Sequence, residues 1–164
     1  MSPRHLAALV VCLSLLVAIP VAVDAKTSHA GWPRINGKFR KDSHDRNKTY
    51  YGTKRHDELL GGHGNNKLYG GGQADVLWGD YKPSGWPASQ SDHIYGGKGD
   101  DFIYASHSFN HIEGGPGADT IHAHFGFGSV DCGDGEDLLY LSHRSRPKYK
   151  LTGCERISYK SDNG

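Results

Sequence analysis

A chain of 164 residues has room for a single domain. Its formal net charge of +1 leaves no electrostatic footprint for nucleic acid.

Residues 1–25 open with a basic stretch (Arg4, His5), continue with an apolar run from Leu6 to Val23, and end in Val-Asp-Ala before Lys26. Small residues at the third-last and last positions suit signal-peptidase cleavage, so a secreted protein is expected. A membrane anchor is the competing reading, weakened by Pro20 and Asp24. A lipidated Cys12 fits less well, because Val11 precedes it where a small residue is needed. No later stretch is apolar enough to span a bilayer. Removing residues 1–25 takes away Arg4 and Asp24 together and leaves the balance of charge unchanged. Residues 26–51 are basic and polar and read as a lead-in that ends as an N-terminal cap.

From Gly52 the sequence falls into a period of nine: GTKRHDELL, GGHGNNKLY, GGGQADVLW, an interrupted unit from Gly79 to Tyr95, then GGKGDDFIY, ASHSFNHIE, GGPGADTIH, AHFGFGSVD and CGDGEDLLY. The eighth position is always aliphatic: Leu59, Leu68, Leu77, Ile94, Ile103, Ile112, Ile121, Val130 and Leu139. Strand side chains alternate between faces, so in each x-U-x the aliphatic residue points inward and its neighbours outward. The six preceding residues turn the chain. Stacked coils then place the aliphatic residues in one thin ladder between two parallel sheets, and no single unit buries enough to fold alone. The period rules out a collagen-like repeat, and the aliphatic column rules out glycine-rich disorder.

Nonapeptides of the form GGxGxDxUx are a parallel β-roll signature. GGKGDDFIY and GGPGADTIH match it at every fixed position. Over residues 52 to about 145 the chain therefore resembles the RTX-type (hemolysin-type) calcium-binding repeat family. The resemblance implies an all-β fold, a right-handed two-sheet parallel β-roll of about nine to ten nonapeptide units with terminal caps. It also implies calcium held between turns two repeats apart, by sixth-position aspartates and turn carbonyls, among them those of Gly71, Gly97, Gly99, Gly115, Gly117, Gly133 and Gly135. Glycines let carbonyls converge on a hard, oxygen-seeking ion, and the ion neutralises the paired carboxylates of turns such as Gly96–Asp101.

Successive units alternate between the two edges of such a roll. The odd sixth positions are Asp57, Asp75, Asp101, Asp119 and Asp137, aspartate without exception, whereas the even ones are Asn66, Asp92, Asn110 and Gly128. Five stacked odd turns leave four gaps, hence about four calcium ions, the first weakest because Thr53 and Arg55 replace glycines there. Asp92 offers at most one weak site on the even edge. Aspartates also make side-chain-to-backbone turns without metal, but an unbroken column of carboxylates about 5 Å apart repels itself unless a cation intervenes. On the even edge, His63, Tyr81, His107, Phe125 and His143, with Phe109 and Phe127, are expected to stack and fill the turn interiors. A transition-metal site around His107 and His124 is the other reading.

Outward positions of the odd sheet are largely apolar, and Trp78, Phe102, Tyr104 and Tyr140 among them make a candidate binding face. Its occupant is another chain, a glycan, or the protein's own flank, which carries Trp32, Ile35, Phe39 and Tyr50. The fourth unit carries an insertion at about residues 81–90, whose Pro and Gly demand a protruding loop tipped by Trp86. Beyond the leader two cysteines remain, Cys132 and Cys154, an even number suited to an oxidising compartment. Their disulfide would contribute about 3 kcal/mol; a zinc site would need two further ligands. Residues 146–164 read as a C-terminal cap.

The segments flanking the repeats are too short for a protease, lipase or epimerase module, and no nucleophile–base pair emerges. Ser106–His107 and Ser142–His143 are chain neighbours whose side chains diverge. A non-enzymatic, secreted calcium-binding role, structural, adhesive or self-assembling, is the expectation. A calcium-responsive carrier that recognises a glycan or protein through its aromatic face is the alternative.

Overall fold

The computed structural model describes residues 31–42, 44–81 and 89–159. The leader, Trp86 and the last residues of the C-terminal cap lie outside the described residues. Within them the chain is a two-sheet parallel β-solenoid. One sheet, the odd sheet, stacks β1 (Phe39–Lys41), β3 (Glu58–Leu60), β5 (Val76–Trp78), β7 (Phe102–Tyr104), β9 (Thr120–Ala123), β11 (Leu138–Leu141) and β13 (Arg156–Ser158) in that order. The other, the even sheet, stacks β2 (Lys48–Thr53), β4 (Asn66–Gly72), β6 (Ser91–Lys98), β8 (Phe109–Pro116), β10 (Phe127–Asp134) and β12 (Tyr149–Thr152). Odd repeats feed one sheet and even repeats the other, and the coils make about six turns.

The period of nine becomes a coil of two strands and two turns. Leu59, Leu77, Ile103, Ile121 and Leu139 stand in register on the odd sheet. Leu68, Ile94, Ile112 and Val130 do so on the even sheet. All nine are at most 1 % exposed. This ladder is the main core of the roll, with Ala123, Cys132, Leu141 and Tyr149 buried alongside it. The insertion in the fourth unit widens the spacing between stacked partners from 18 to 26 residues without shifting register. Register is protected because a slip by one residue would turn every aliphatic side chain outward.

Flanking sequence continues both sheets. Before the repeats, β1 and β2 place Arg40 and Tyr50 in the core columns. After them, β12 and β13 place Leu151 and Ile157 there. A charged residue in the last register position blunts the open strand edge at the N-terminal end. At the other end Ile157 is partly exposed. A short 3₁₀ helix, Arg146–Lys148 with Pro147 inside it, leads into β12. Cys132 and Cys154 are joined by a disulfide, which ties β10 to the segment between β12 and β13.

The outward aromatic column of the odd sheet forms as its spacing demands. Trp78 stacks on Tyr104 at 4.6 Å, Tyr104 on His122 at 4.4 Å and His122 on Tyr140 at 4.8 Å. Its N-terminal half is covered by the chain's own flank. Trp32 and Ile35 are buried against Val76, Trp78, Phe102 and Tyr104, and the Trp32 indole N–H donates to the Tyr104 hydroxyl at 2.8 Å. A second ladder, Tyr51–Tyr69–Tyr95, stacks on the even sheet at 5.0 and 4.8 Å; Tyr51 comes from the flank, so the repeats alone do not reveal its length.

Candidate metal centre

Six residues must reverse the chain between strands of opposite sheets, and in the odd turns after the first the second and fourth do so in the left-handed region. Gly97 and Gly99 have φ of 112° and 115°, which a Cβ would strain. They are also crowded: a Cβ on Gly97 would come within 2.5 Å of the Gly71 carbonyl oxygen in the neighbouring turn. Glycine is thus what lets successive turns nest with their carbonyls inward. Gln73 alone among described non-glycine residues takes a positive φ, 68°, and it sits where its neighbours have glycine.

Each nested turn ends in its sixth-position aspartate. Asp57, Asp75, Asp101, Asp119 and Asp137 are at most 1 % exposed. One carboxylate oxygen, Oδ1, accepts the backbone N–H of the equivalent residue one coil earlier. Asp57 donates to Asp75 at 2.7 Å, and Asp75 to Asp101, Asp101 to Asp119 and Asp119 to Asp137 at 2.8 Å each. The other oxygen, Oδ2, of Asp75, Asp101, Asp119 and Asp137 is buried without a hydrogen-bond partner. A buried carboxylate oxygen left unmatched is costly, and here the cost recurs four times up one edge. The orphaned oxygens sit inside the turn. A Cβ on Gly96 would meet both Asp101 Oδ2 and the Gly114 carbonyl oxygen at 2.4 Å. The same pocket recurs at Gly70 with Asp75 and at Gly114 with Asp119.

The electrostatics agree. Burial pushes the Asp75 carboxyl up to about 7, Asp101 up to about 8 and Asp119 up to about 7, against the relief of the backbone hydrogen bond each accepts. Asp101 also feels Asp119, Asp75 and Asp100. Asp137 is shifted upward by burial as well. These are carboxylates in want of a positive charge.

The column is closed differently at its two ends. Asp57 accepts hydrogen bonds from the Lys38 and Thr53 backbone N–H groups and from the Thr53 hydroxyl, so its carboxylate is already satisfied by protein. Arg55 reaches the Asn36 carbonyl at 3.4 Å. At the far end Asp137 N–H donates to Glu155 Oε2 at 3.2 Å, so Glu155 takes the sixth-position place in the last coil. The sequence signal was Gly-Cys-Glu-Arg-Ile: a carboxylate two residues before an aliphatic, with Gly153 at the fourth position of the turn and φ of 60°.

On the even edge amide groups occupy the turns. Asn66 Nδ2 donates to the carbonyls of Gly62 at 2.6 Å and Gly79 at 3.2 Å. Asn110 Nδ2 donates to those of Ser108 at 2.9 Å and Ser106 at 3.1 Å, while its Oδ1 accepts the Ser106 N–H at 2.8 Å. Where Gly128 leaves no side chain, the Tyr149 hydroxyl enters from the next coil, accepting from Asn110 and donating to the Phe125 carbonyl at 2.8 Å. Hydrogen-bond donors thus satisfy the inward carbonyls. The expectation that aromatic rings stack and fill these turns is corrected for the phenylalanines: Phe109, Phe125 and Phe127 are exposed, because Asn110 and Tyr149 already occupy the interior, whereas His63 is buried and His107 stacks on Phe125. The exception on this edge is Asp92. It accepts the Asn66 N–H at 2.9 Å, keeps Oδ2 buried and unpartnered, and is pushed by burial up to about 6. Beside it His63 lies 2.9 Å from Asp80, and the Gln90 amide donates to the same carboxylate at 2.8 Å.

No three His, Cys, Asp or Glu side chains converge as a metal-binding group among the described residues. His107 stacks on Phe125 at 4.6 Å. The odd edge instead brings together two carboxylates per gap and main-chain carbonyls, an all-oxygen set of the kind calcium takes and softer metals do not.

No curated protein and no solved structure matches the chain. The family model of the RTX calcium-binding nonapeptide repeat does, in four copies over residues 51–80, 89–107 and 108–130. Those residues carry RTX calcium-binding nonapeptide repeats, and the aspartate column and the left-handed glycines run through them and on to Asp137.

Proposed function

We propose that the protein is a secreted, non-enzymatic calcium-binding β-roll whose folding is coupled to calcium and whose role is structural or adhesive. The observation that carries this reading is the run of four buried, unpartnered Oδ2 atoms on Asp75, Asp101, Asp119 and Asp137. Calcium supplies the positive charge and the demand for several oxygen ligands that this column lacks. Pairs of successive aspartates would hold it, with carbonyls of the turns containing Gly71, Gly97, Gly99, Gly115, Gly117, Gly133 and Gly135. The three gaps from Asp75 to Asp137 offer an unsatisfied oxygen on both sides. The gap between Asp57 and Asp75 offers one, which supports four sites with the first weakest. Asp92 would hold a further ion weakly, with a single carboxylate.

Coupling follows from the thinness of the core. Each site that binds only the folded chain stabilises it by about 2.7 kcal/mol at a hundredfold excess of free ion over the dissociation constant. A marginally stable domain has about 5–15 kcal/mol in all. The test is far-ultraviolet circular dichroism with calorimetric titration. The β signal should fall on chelation with EGTA and return with calcium but not magnesium. An unchanged spectrum after full chelation would sink the coupling.

A further inference from the structure

The even edge, which lacks the aspartate column, carries a surface of its own at its C-terminal end. Three consecutive turns on this edge, 105–110, 123–128 and 141–150, contain no Asp or Glu. They are locked together. Ser142 Oγ donates to the His124 carbonyl at 2.7 Å, Ser145 Oγ to that of Ala123 at 2.9 Å and the Tyr149 hydroxyl to that of Phe125 at 2.8 Å. On this rigid base Phe109, Phe125 and Phe127 are 36 %, 58 % and 46 % exposed. Three large apolar rings side by side in water are a feature of interfaces. The adjoining turn reads Arg144-Ser-Arg146-Pro-Lys148-Tyr-Lys150. Ser145 and Tyr149 are buried and all four cations exposed. None of the four pairs with a carboxylate among the described residues.

We infer that this edge is a docking surface for an anionic phospholipid membrane. Charge complementarity selects an anionic partner, and the phenylalanines select a lipid one. Their rings have no hydrogen-bonding group to offer a sugar or a base. One face of Phe125 is taken by His107 at 4.6 Å, and Phe109 and Phe127 meet edge to face at 5.8 Å, which leaves apolar edges rather than an open stacking platform. Apolar side chains that enter the acyl boundary beside Lys and Arg that meet anionic headgroups are the recognised interfacial arrangement. Fixed turns present these groups without an ordering cost on binding.

The experiment is flotation of the calcium-loaded protein with vesicles of phosphatidylcholine alone and with about one-third phosphatidylserine. Binding is expected to the anionic vesicles and to weaken with salt. Removal of Arg144, Arg146, Lys148 and Lys150 as glutamine should weaken it about fivefold for each charge. Phe125→Ser with Phe127→Ser, which changes no charge, should weaken it at least about tenfold. Circular dichroism and calcium titration of both variants should match the parent, because the substituted side chains lie outside the turn interiors. If pairing the phenylalanine changes perturbs the spectrum, Phe125→Ser alone reads the same question. A phenylalanine variant that floats like the parent means calcium merely bridges phosphatidylserine to acidic side chains, and overturns the inference. So does capture of the protein by heparin without binding to either vesicle, which marks a soluble polyanion as the partner.

Discussion

The two edges of this roll are built from the same nine-residue unit and solve one problem in opposite ways. Both turn the chain with carbonyls aimed inward, and inward carbonyls need a positive partner. On the even edge the amides of Asn66 and Asn110 and the hydroxyl of Tyr149 supply donors from the protein itself. On the odd edge an aspartate adds negative charge to carbonyls already in excess and leaves Oδ2 buried and alone. The even edge is therefore largely satisfied by protein, Asp92 and the Asn66 side-chain carbonyl oxygen apart, whereas the odd edge repeats an unmatched carboxylate oxygen at four turns. One atom, nitrogen or oxygen at the end of the sixth side chain, separates a turn that needs no metal from one that does.

Chelation should break the comparison most visibly. In EGTA, hydrogen exchange at the amides of Asp75, Asp101 and Asp119 should accelerate far more than at those of Asn66, Ser106 and Asn110. Uniform loss of protection on both edges would show that the even turns have no stability of their own.

Next in size is a pair of substitutions read with and without calcium. Asp101→Ala removes a ligand from two gaps and should cost about 5 kcal/mol in excess calcium, two sites' worth of mass action. In EGTA the cost should be much smaller, because the stranded Asp75 N–H, about 1–3 kcal/mol, is offset by removal of a buried, repelled carboxylate. Asn110→Ala strands several turn hydrogen bonds and should cost about 2–4 kcal/mol, equally with and without calcium. Thermal melts of the two variants under both conditions read this directly. A calcium-dependent penalty at Asn110 would contradict the division of labour.

Loss of the disulfide should sit between the edges, since Cys132 and Cys154 tie the last coils of both sheets. Cys132→Ser with Cys154→Ser should cost about 3 kcal/mol whether or not calcium is bound, as denaturant midpoints would report. A penalty confined to calcium-loaded protein would instead assign the bridge to the odd turns.

The last comparison is in pH. Burial raises the folded-state carboxyls of Asp75, Asp101 and Asp119 to about 7, 8 and 7, above the ordinary value near 4. Below about pH 4 these groups are protonated folded or unfolded and contribute no difference. Between there and about pH 8 the folded chain holds more protons, so the metal-free roll loses stability as pH rises through this window. Its melting temperature in calcium-depleted buffer should be higher at pH 5 than at pH 8. Calcium-loaded protein should show the reverse, because protons compete for the same oxygens. Metal-free melts that rise with pH would mean that these carboxylates are satisfied in some other way.

The period of nine and its aliphatic eighth position were enough to derive two parallel sheets, the core and the alternation of edges, because strand geometry allows a strict repeat only one inward-facing residue per x-U-x. The column from Asp57 to Asp137 was legible for the same reason: a repeat in sequence becomes a stack in space. What lies outside the repeat was less legible. Glu155 continues the column with glutamate in place of aspartate and only Gly153 left of the glycine pattern to announce it. Trp32 and Ile35 cover half of the aromatic face, for which the sequence offered the flank only as one of three occupants. Tyr149 fills the void at Gly128 from a coil with no nonapeptide in it. These three depend on where non-repeating segments come to lie, and that is decided by which buried polar atoms and apolar rings still lack a neighbour once the ladder has closed. Local pattern determined the roll. Only the tertiary structure decided which of its turns were finished by protein and which were left for an ion.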